Sequence, residues 1–154
     1  MSEYELLLDE AAQNGVVVFE HVAFDSHSDG LIEGDVIGLS DRLESSVERA
    51  CTLAEEIGHH KLNCGNILNQ KDTSNRKQEQ KARLWAYYRM VTIDKLIAAW
   101  EAGCRNRFEI AEYIGTTEAF LQEAIDSYKS KCNTIAQRGD YLIKFDPLCI
   151  YKMI

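Results

Sequence analysis

Two glutamates and two histidines stand together at Glu55-Glu56-Ile57-Gly58-His59-His60, inside a stretch from Ser45 to His60 whose apolar residues recur at helical spacing. On a helix advancing about 100° per residue, Glu55, Glu56 and His59 share one arc, roughly opposite the face formed by Ala50, Leu53 and Ile57. An i, i+4 pair such as Glu55 and His59 projects two side chains from consecutive turns toward one point. That is how H-E-x-x-H helices hold zinc, with the inner glutamate beside the metal to activate water. Here Glu55 takes the outer position, Glu56 the inner one, and His59 the second ligand position. The string alone is weak evidence, since a solvated helix face that happens to carry these residues accounts for it more simply.

A distant carboxylate bears on the choice. Lys77 to Ala102 reads as one long helix closed by Gly103, with Ala82, Ala86, Met90, Ile93, Ile97 and Trp100 in a single stripe. Glu79 falls at the wheel position of Ile97 and so points along that stripe. Burying a carboxylate is costly unless it is paired or bound to a metal. The small side chains of Ala82 and Ala86 admit a second helix close by, which would make Glu79 a third ligand. The other reading leaves Glu79 in water, complementing the helix dipole from the first turn. His60 lies about 100° from His59 and nearer the core face, so it reads first as a packing histidine. A ligand role, paired with Glu56 in a shifted register, is its alternative. His21 and His27 read as surface residues.

The elements that must position these groups follow in order. Glu3 to Asn14 is patterned as an amphipathic helix ended by Gly15, and Val16 to Val22 as a strand. Asp25 to Gly30 is a polar link. Leu31-Ile32 and Val36 to Leu39 flank Glu33-Gly34-Asp35 as a hairpin. Ser45 or Ser46 caps the motif helix, with Glu48 in its first turn, and Gly58 interrupts it before the histidines. Gln70 to Arg76 is a polar loop. Phe108 to Ile114 is a short helix ended by Gly115, and Thr116 or Thr117 caps another that runs to about Lys131. Tyr141 to Ile150 reads as a strand placed at a sheet edge by Pro147. The expected fold is α+β: a small antiparallel sheet beside a zincin-like metal-site helix, a mainly helical C-terminal half, and one domain over 1–154.

Composition narrows the function classes. A chain of 154 residues with 45% hydrophobic and 27% charged side chains is ordered, and its net charge of −8 argues against a broad nucleic-acid surface. The pair of helices around Gly115 has a helix-turn-helix outline, yet the second opens on Thr117-Glu118 and continues with Glu123 and Asp126, which phosphates would repel. Direct DNA binding is therefore not expected. Val16 to Phe19, the longest apolar run near the start, is far too short to span a membrane, and the acidic opening MSEYELLLDE lacks a signal peptide's positive charge. Five scattered cysteines without a C-x-x-C pair read as reduced thiols, so a cytoplasmic location is expected. Cys64, near the histidines, is a minor candidate ligand.

The order of these features resembles the ImmA/IrrE metallopeptidases, and most closely their short, phage-borne branch. VIGLSDRLESSVERACTLAEEIGHH is similar to that family's strand, turn and metal-binding helix, and KQEQKARLWAYYRM to the helix that follows. The likeness covers most of the chain from about Val16. It implies a zinc-dependent endopeptidase that cleaves a helix-turn-helix repressor of the same phage or mobile element. It also implies the roles: Glu56 as general base, His59 as second histidine ligand, and Glu79 as distal carboxylate ligand. Glu55 stands where most members have their first histidine. A carboxylate there makes the site more anionic and manganese more competitive. The alternative is a non-catalytic relative that binds a regulator without cutting it.

Overall fold

A computed structural model describes residues 1–65 and 75–154, the side chains of 64, 65 and 75 excepted. Of the expected loop at Gln70 to Arg76, residues 70–74 lie outside the described residues, as does the reading of Cys64 as a ligand, while Asn75 and Arg76 already belong to a helix. The chain divides into two compact units, Met1–Ala86 and Tyr87–Ile154.

In the first unit, Ser2 caps helix α1 (Glu3–Gln13), its side chain accepting from the Glu5 amide. Tyr4, Leu7 and Ala11 form the buried stripe, and α1 packs on α2 (Ser46–Gly65). Strands β1 (Val17–Val22), β2 (Gly30–Glu33) and β3 (Val36–Ser40) form one sheet in the order β1-β3-β2. β2 and β3 pair antiparallel as the expected hairpin, but Glu33 belongs to β2 and the turn is only Gly34, with φ +61°, and Asp35. β1 pairs with β3 in parallel, so the sheet is mixed and not antiparallel as expected. The segment 23–29 carries the chain across the sheet before β2 begins, and the hairpin then returns β3 into the middle. Ile37 and Leu39 of that central strand are fully buried.

Two expectations about the helices are corrected. Helix α2 does not stop at Gly58 but continues to Gly65. The long helix is two helices, α3 (Asn75–Met90) and α4 (Ile93–Glu101). Thr92 has extended backbone, and its hydroxyl accepts from the Lys95 amide, a capping contact that restarts the helix. Apolar periodicity runs through such a break unnoticed.

In the second unit, α4 is followed by α5 (Arg107–Ile114) and α6 (Glu118–Cys132), capped by Asn106 and Thr117 as short polar side chains preceding apolar runs require. Gly115, in the left-handed region, separates α5 from α6. The expected single edge strand is a three-stranded antiparallel sheet, β4 (Ile135–Arg138), β5 (Tyr141–Phe145) and β6 (Leu148–Lys152). Pro147, joined to Asp146 by a cis peptide, sits in the β5–β6 turn. It needs no ladder donor there, and β5 is free to be the central strand. Tyr128 ties α6 to this unit's core: its hydroxyl donates to the Val91 carbonyl at 2.8 Å and its ring stacks on Phe145.

Among the described residues no helix is long and apolar enough to cross a membrane. Cys51, Cys104, Cys132 and Cys149 are not disulfide-linked.

Candidate metal and catalytic site

Ser45 caps helix α2: its hydroxyl accepts from the Glu48 amide at 3.1 Å while the Glu48 carboxylate accepts from the Glu44 amide at 2.9 Å. This reciprocal capping starts the helix firmly at its first turn. Ala50, Leu53, Ala54 and Ile57 then bury one face, leaving Glu55, Glu56 and His59 on the half-buried side.

Two glycines set how near the neighbouring elements come. A Cβ on Gly30, at the start of β2, would lie 2.8 Å from Thr52 Cγ2 and 3.1 Å from Glu56 Cγ. The strand backbone therefore runs directly against the Glu56 side chain. A Cβ on Gly58 would lie 2.7 Å from the Ala82 carbonyl oxygen on α3. Gly58 is thus the point where α2 and α3 cross in contact, a role that outweighs the helix propensity it gives up. The small Ala82 opposite it fits the expectation of a closely approaching helix.

That crossing brings the two parts of the sequence motif together. Glu79 lies one turn before Ala82, and its Oε1 is 3.3 Å from His59 Nε2. Glu79 is not buried along an apolar stripe, however: its side chain is 56% exposed. The wheel alignment with Ile97 fails because the helix breaks at Val91–Thr92. Glu79 instead reaches His59 from the solvent side.

Glu56 is strongly perturbed. Burial first, then the neighbouring Glu55 and Glu79 carboxylates, push it up to about 7. Glu55 and Glu79 are thus near enough to act on Glu56 through their charge, and Glu79 touches His59. Among the described residues no three such side chains converge closely enough to enclose a metal ion.

His60 takes another direction from its neighbour. Its ring is buried, and Nε2 lies 2.9 Å from Asp35 Oδ1 in the β2–β3 turn. The contact ties α2 to the hairpin, in keeping with a packing histidine. Lys61 follows with two more ties, to Glu10 of α1 at 4.0 Å and over the Trp85 ring of α3. His27 faces Arg42, and His21 lies at the irregularity in β1 with φ +56°.

Sequence reasoning passed over Gly30, Gly58 and Asp35. A glycine inside a strand or helix pattern is a signal of close approach, and both glycines carried it. Asp35 gave none, because a turn aspartate is ordinary. A separate concavity of about 360 Å³ in the second unit is lined by Arg107, Ile110, Gln122, Phe145 and Pro147. Its Arg107 is paired with Glu118 and Gln122, so no unsatisfied reactive group faces it.

No curated protein and no solved structure matches the chain. The profile of one protein family, peptidase M78, described as the IrrE N-terminal-like domain, matches residues 11–126 and so takes in the whole site from Gly30 to Glu79. The chain belongs to that family.

Proposed function

We propose that the protein is a metal-dependent endopeptidase acting on a regulatory protein, a helix-turn-helix repressor of the same phage or mobile element, in the cytoplasm. In this reading Glu55, His59 and Glu79 hold a divalent cation, zinc or alternatively manganese, and Glu56 is the general base. The observation that carries it is the 3.3 Å approach of Glu79 to His59, which joins the helical motif of α2 to a carboxylate on α3 across the Gly58–Ala82 contact.

The donor set fits a cation. Two carboxylates and one imidazole on adjoining helix surfaces are oxygen-rich donors of the kind zinc and manganese both accept. Burial, and after it the charge of Glu55 and Glu79, lifts Glu56, and a nearby positive charge would offset both. A cation bound there acidifies water and polarises a peptide carbonyl. Glu56, beside the ligands and packed against Gly30, is positioned to accept a proton from the attacking water. It would then return that proton to the departing amine as the C–N bond breaks. With a cation held by those ligands, Glu56 would be kept in the carboxylate form a base requires.

A second reading, a protein that binds the regulator without cutting it, is favoured by Glu55 in the place of a histidine and by the solvent exposure of Glu79. Co-expression with a repressor from the same element separates the two. The peptidase reading expects a cleaved repressor with wild-type protein and an intact one with Glu56→Gln. Cleavage that survives Glu56→Gln refutes the assignment of the base, and an intact repressor bound by metal-loaded wild type supports the second reading.

A further inference from the structure

The first unit leaves one face of its sheet uncovered. Phe19 and Leu31 are both register partners of Gly38, and Val17 is the partner of Val36. These side chains therefore share the sheet face opposite the one that Ile37 and Leu39 bury. Val17, Phe19, Leu31 and Val36 are 53%, 55%, 49% and 42% exposed. The patch is continuous, since Gly38 puts no side chain between Phe19 and Leu31 and the Phe24 ring occupies the space, 3.1 Å from where a Cβ would be. Contiguous apolar surface on a soluble domain marks an interaction site more often than isolated exposed residues do.

The segment that builds this sheet, residues 17–40, carries five carboxylates and no lysine or arginine. Ten acidic residues precede Arg42, which is the first lysine or arginine in the chain. Glu33, the partner of Val36, stands on the patch's own face. Arg42 itself donates to the Ser26 and Ser28 carbonyls. Residues 87–154 carry nine acidic and nine basic side chains, so the whole net charge of −8 belongs to residues 1–86.

We propose that the outer face of the β1-β3-β2 sheet is a docking surface for a protein partner whose contact surface has an apolar centre and a lysine- or arginine-rich rim. Charge complementarity selects this occupant. A second copy of the chain would bring two anionic rims together, and nucleic acid or an anionic membrane would be repelled. The edge strand β2 carries Leu31 on this face and, one residue away, Gly30 against Glu56. A partner seated over Leu31 is thereby held one strand from the candidate base. The proposal rests on the reading above only in taking this partner as the protein acted on, because binding needs no turnover.

Fluorescence anisotropy with a labelled peptide of alternating leucine and lysine tests the surface on the full-length protein. Saturable binding is expected, weakening as salt rises and falling at least about tenfold in Phe19→Ser/Leu31→Ser. Equal binding of a serine–lysine peptide, no binding of the leucine–lysine peptide, or unchanged binding by the variant overturns the proposal. Val17→Ser/Val36→Ser is the second variant should the first fail to fold. A dimer in sedimentation velocity that these substitutions dissolve assigns the face to a second copy. Retention on phosphatidylglycerol vesicles that the same substitutions abolish assigns it to a membrane, and either result overturns the proposal. Peptide binding by a protein that cleaves nothing leaves the docking surface standing and removes the peptidase reading. Cleavage without peptide binding does the reverse.

Discussion

The two units of the chain treat their inward-facing polar groups in opposite ways. In residues 87–154 such groups are largely matched, the buried Thr116 hydroxyl excepted: Tyr128 donates to the Val91 carbonyl, Tyr87 to Glu123, and the rings of Tyr87, Tyr88 and Tyr128 pack against other aromatics. In residues 1–86 the Glu56 carboxyl is buried beside the Glu55 and Glu79 carboxylates, and burial first, then their charge, raises it to about 7. The close contacts there are made by Gly30 and Gly58, which remove side chains, and not by bulky rings that fill space. A fold accepts such crowding when something outside the chain completes it. The contrast therefore points to the first unit as the reactive one and to the second as a self-satisfied packing unit.

Breaking the first unit's chemistry should give the largest effect. Glu56→Gln is expected to lower repressor cleavage by about 10²–10⁴-fold, the usual contribution of a positioned base, while leaving the circular dichroism spectrum unchanged. A loss under tenfold, measured by densitometry of cleavage products, would remove Glu56 from the chemistry.

The same residue gives a pH signature once the metal is stripped with chelator. A carboxyl raised from 4.5 to about 7 in the folded state keeps its proton after the unfolded chain has lost it. Stability is then greatest below about pH 4.5 and falls as pH rises through 7, by at most about 3 kcal/mol. Urea denaturation at several pH values should show this slope in the chelated wild type and little of it in Glu56→Gln. Equal slopes would mean that other groups govern the pH dependence.

Gly58→Ala sharpens the contrast at the level of packing. In an exposed helix the change would stabilise by about 1 kcal/mol, but here the added methyl meets the Ala82 carbonyl at 2.7 Å. A net loss of about 1–3 kcal/mol is expected in thermal denaturation, together with weaker metal binding as α3 is pushed away. A stabilised variant would contradict the close crossing.

In the second unit, Tyr128→Phe removes the hydrogen bond to the buried Val91 carbonyl. It should cost about 1–2 kcal/mol in stability and leave metal content and cleavage untouched. Loss of metal from this variant would break the separation of roles between the units.

Much of this arrangement was legible in the sequence, for identifiable reasons. Ser45, Thr117 and Gly34 carry local signals, since a cap or a turn is decided by the few residues that make it. The spacing of Glu55 and His59 likewise depends only on helix geometry. The parallel pairing of β1 with β3 is decided by which strand enters the middle of the sheet, and no local pattern records that. The break at Thr92 was hidden because apolar periodicity continues from α3 into α4 across the cap. Strand β4 is only four residues, mostly exposed, and too short for its alternation to stand out. Glu79 was found for a partly mistaken reason: the stripe through Ala82, Ala86 and Met90 is buried but breaks before Ile97 and does not bury it, yet it meets His59 all the same.

The central claim is that side chains of α2 and α3 jointly hold a divalent cation, and metal content tests it most directly. Inductively coupled plasma mass spectrometry on purified protein should find about one zinc or manganese ion per chain. The ion should be lost from His59→Ala and Glu79→Gln and kept in His60→Ala, whose ring faces Asp35. A folded wild-type protein that retains no ion after incubation with zinc or manganese, or an ion that depends on His60 and not on Glu79, would contradict the account.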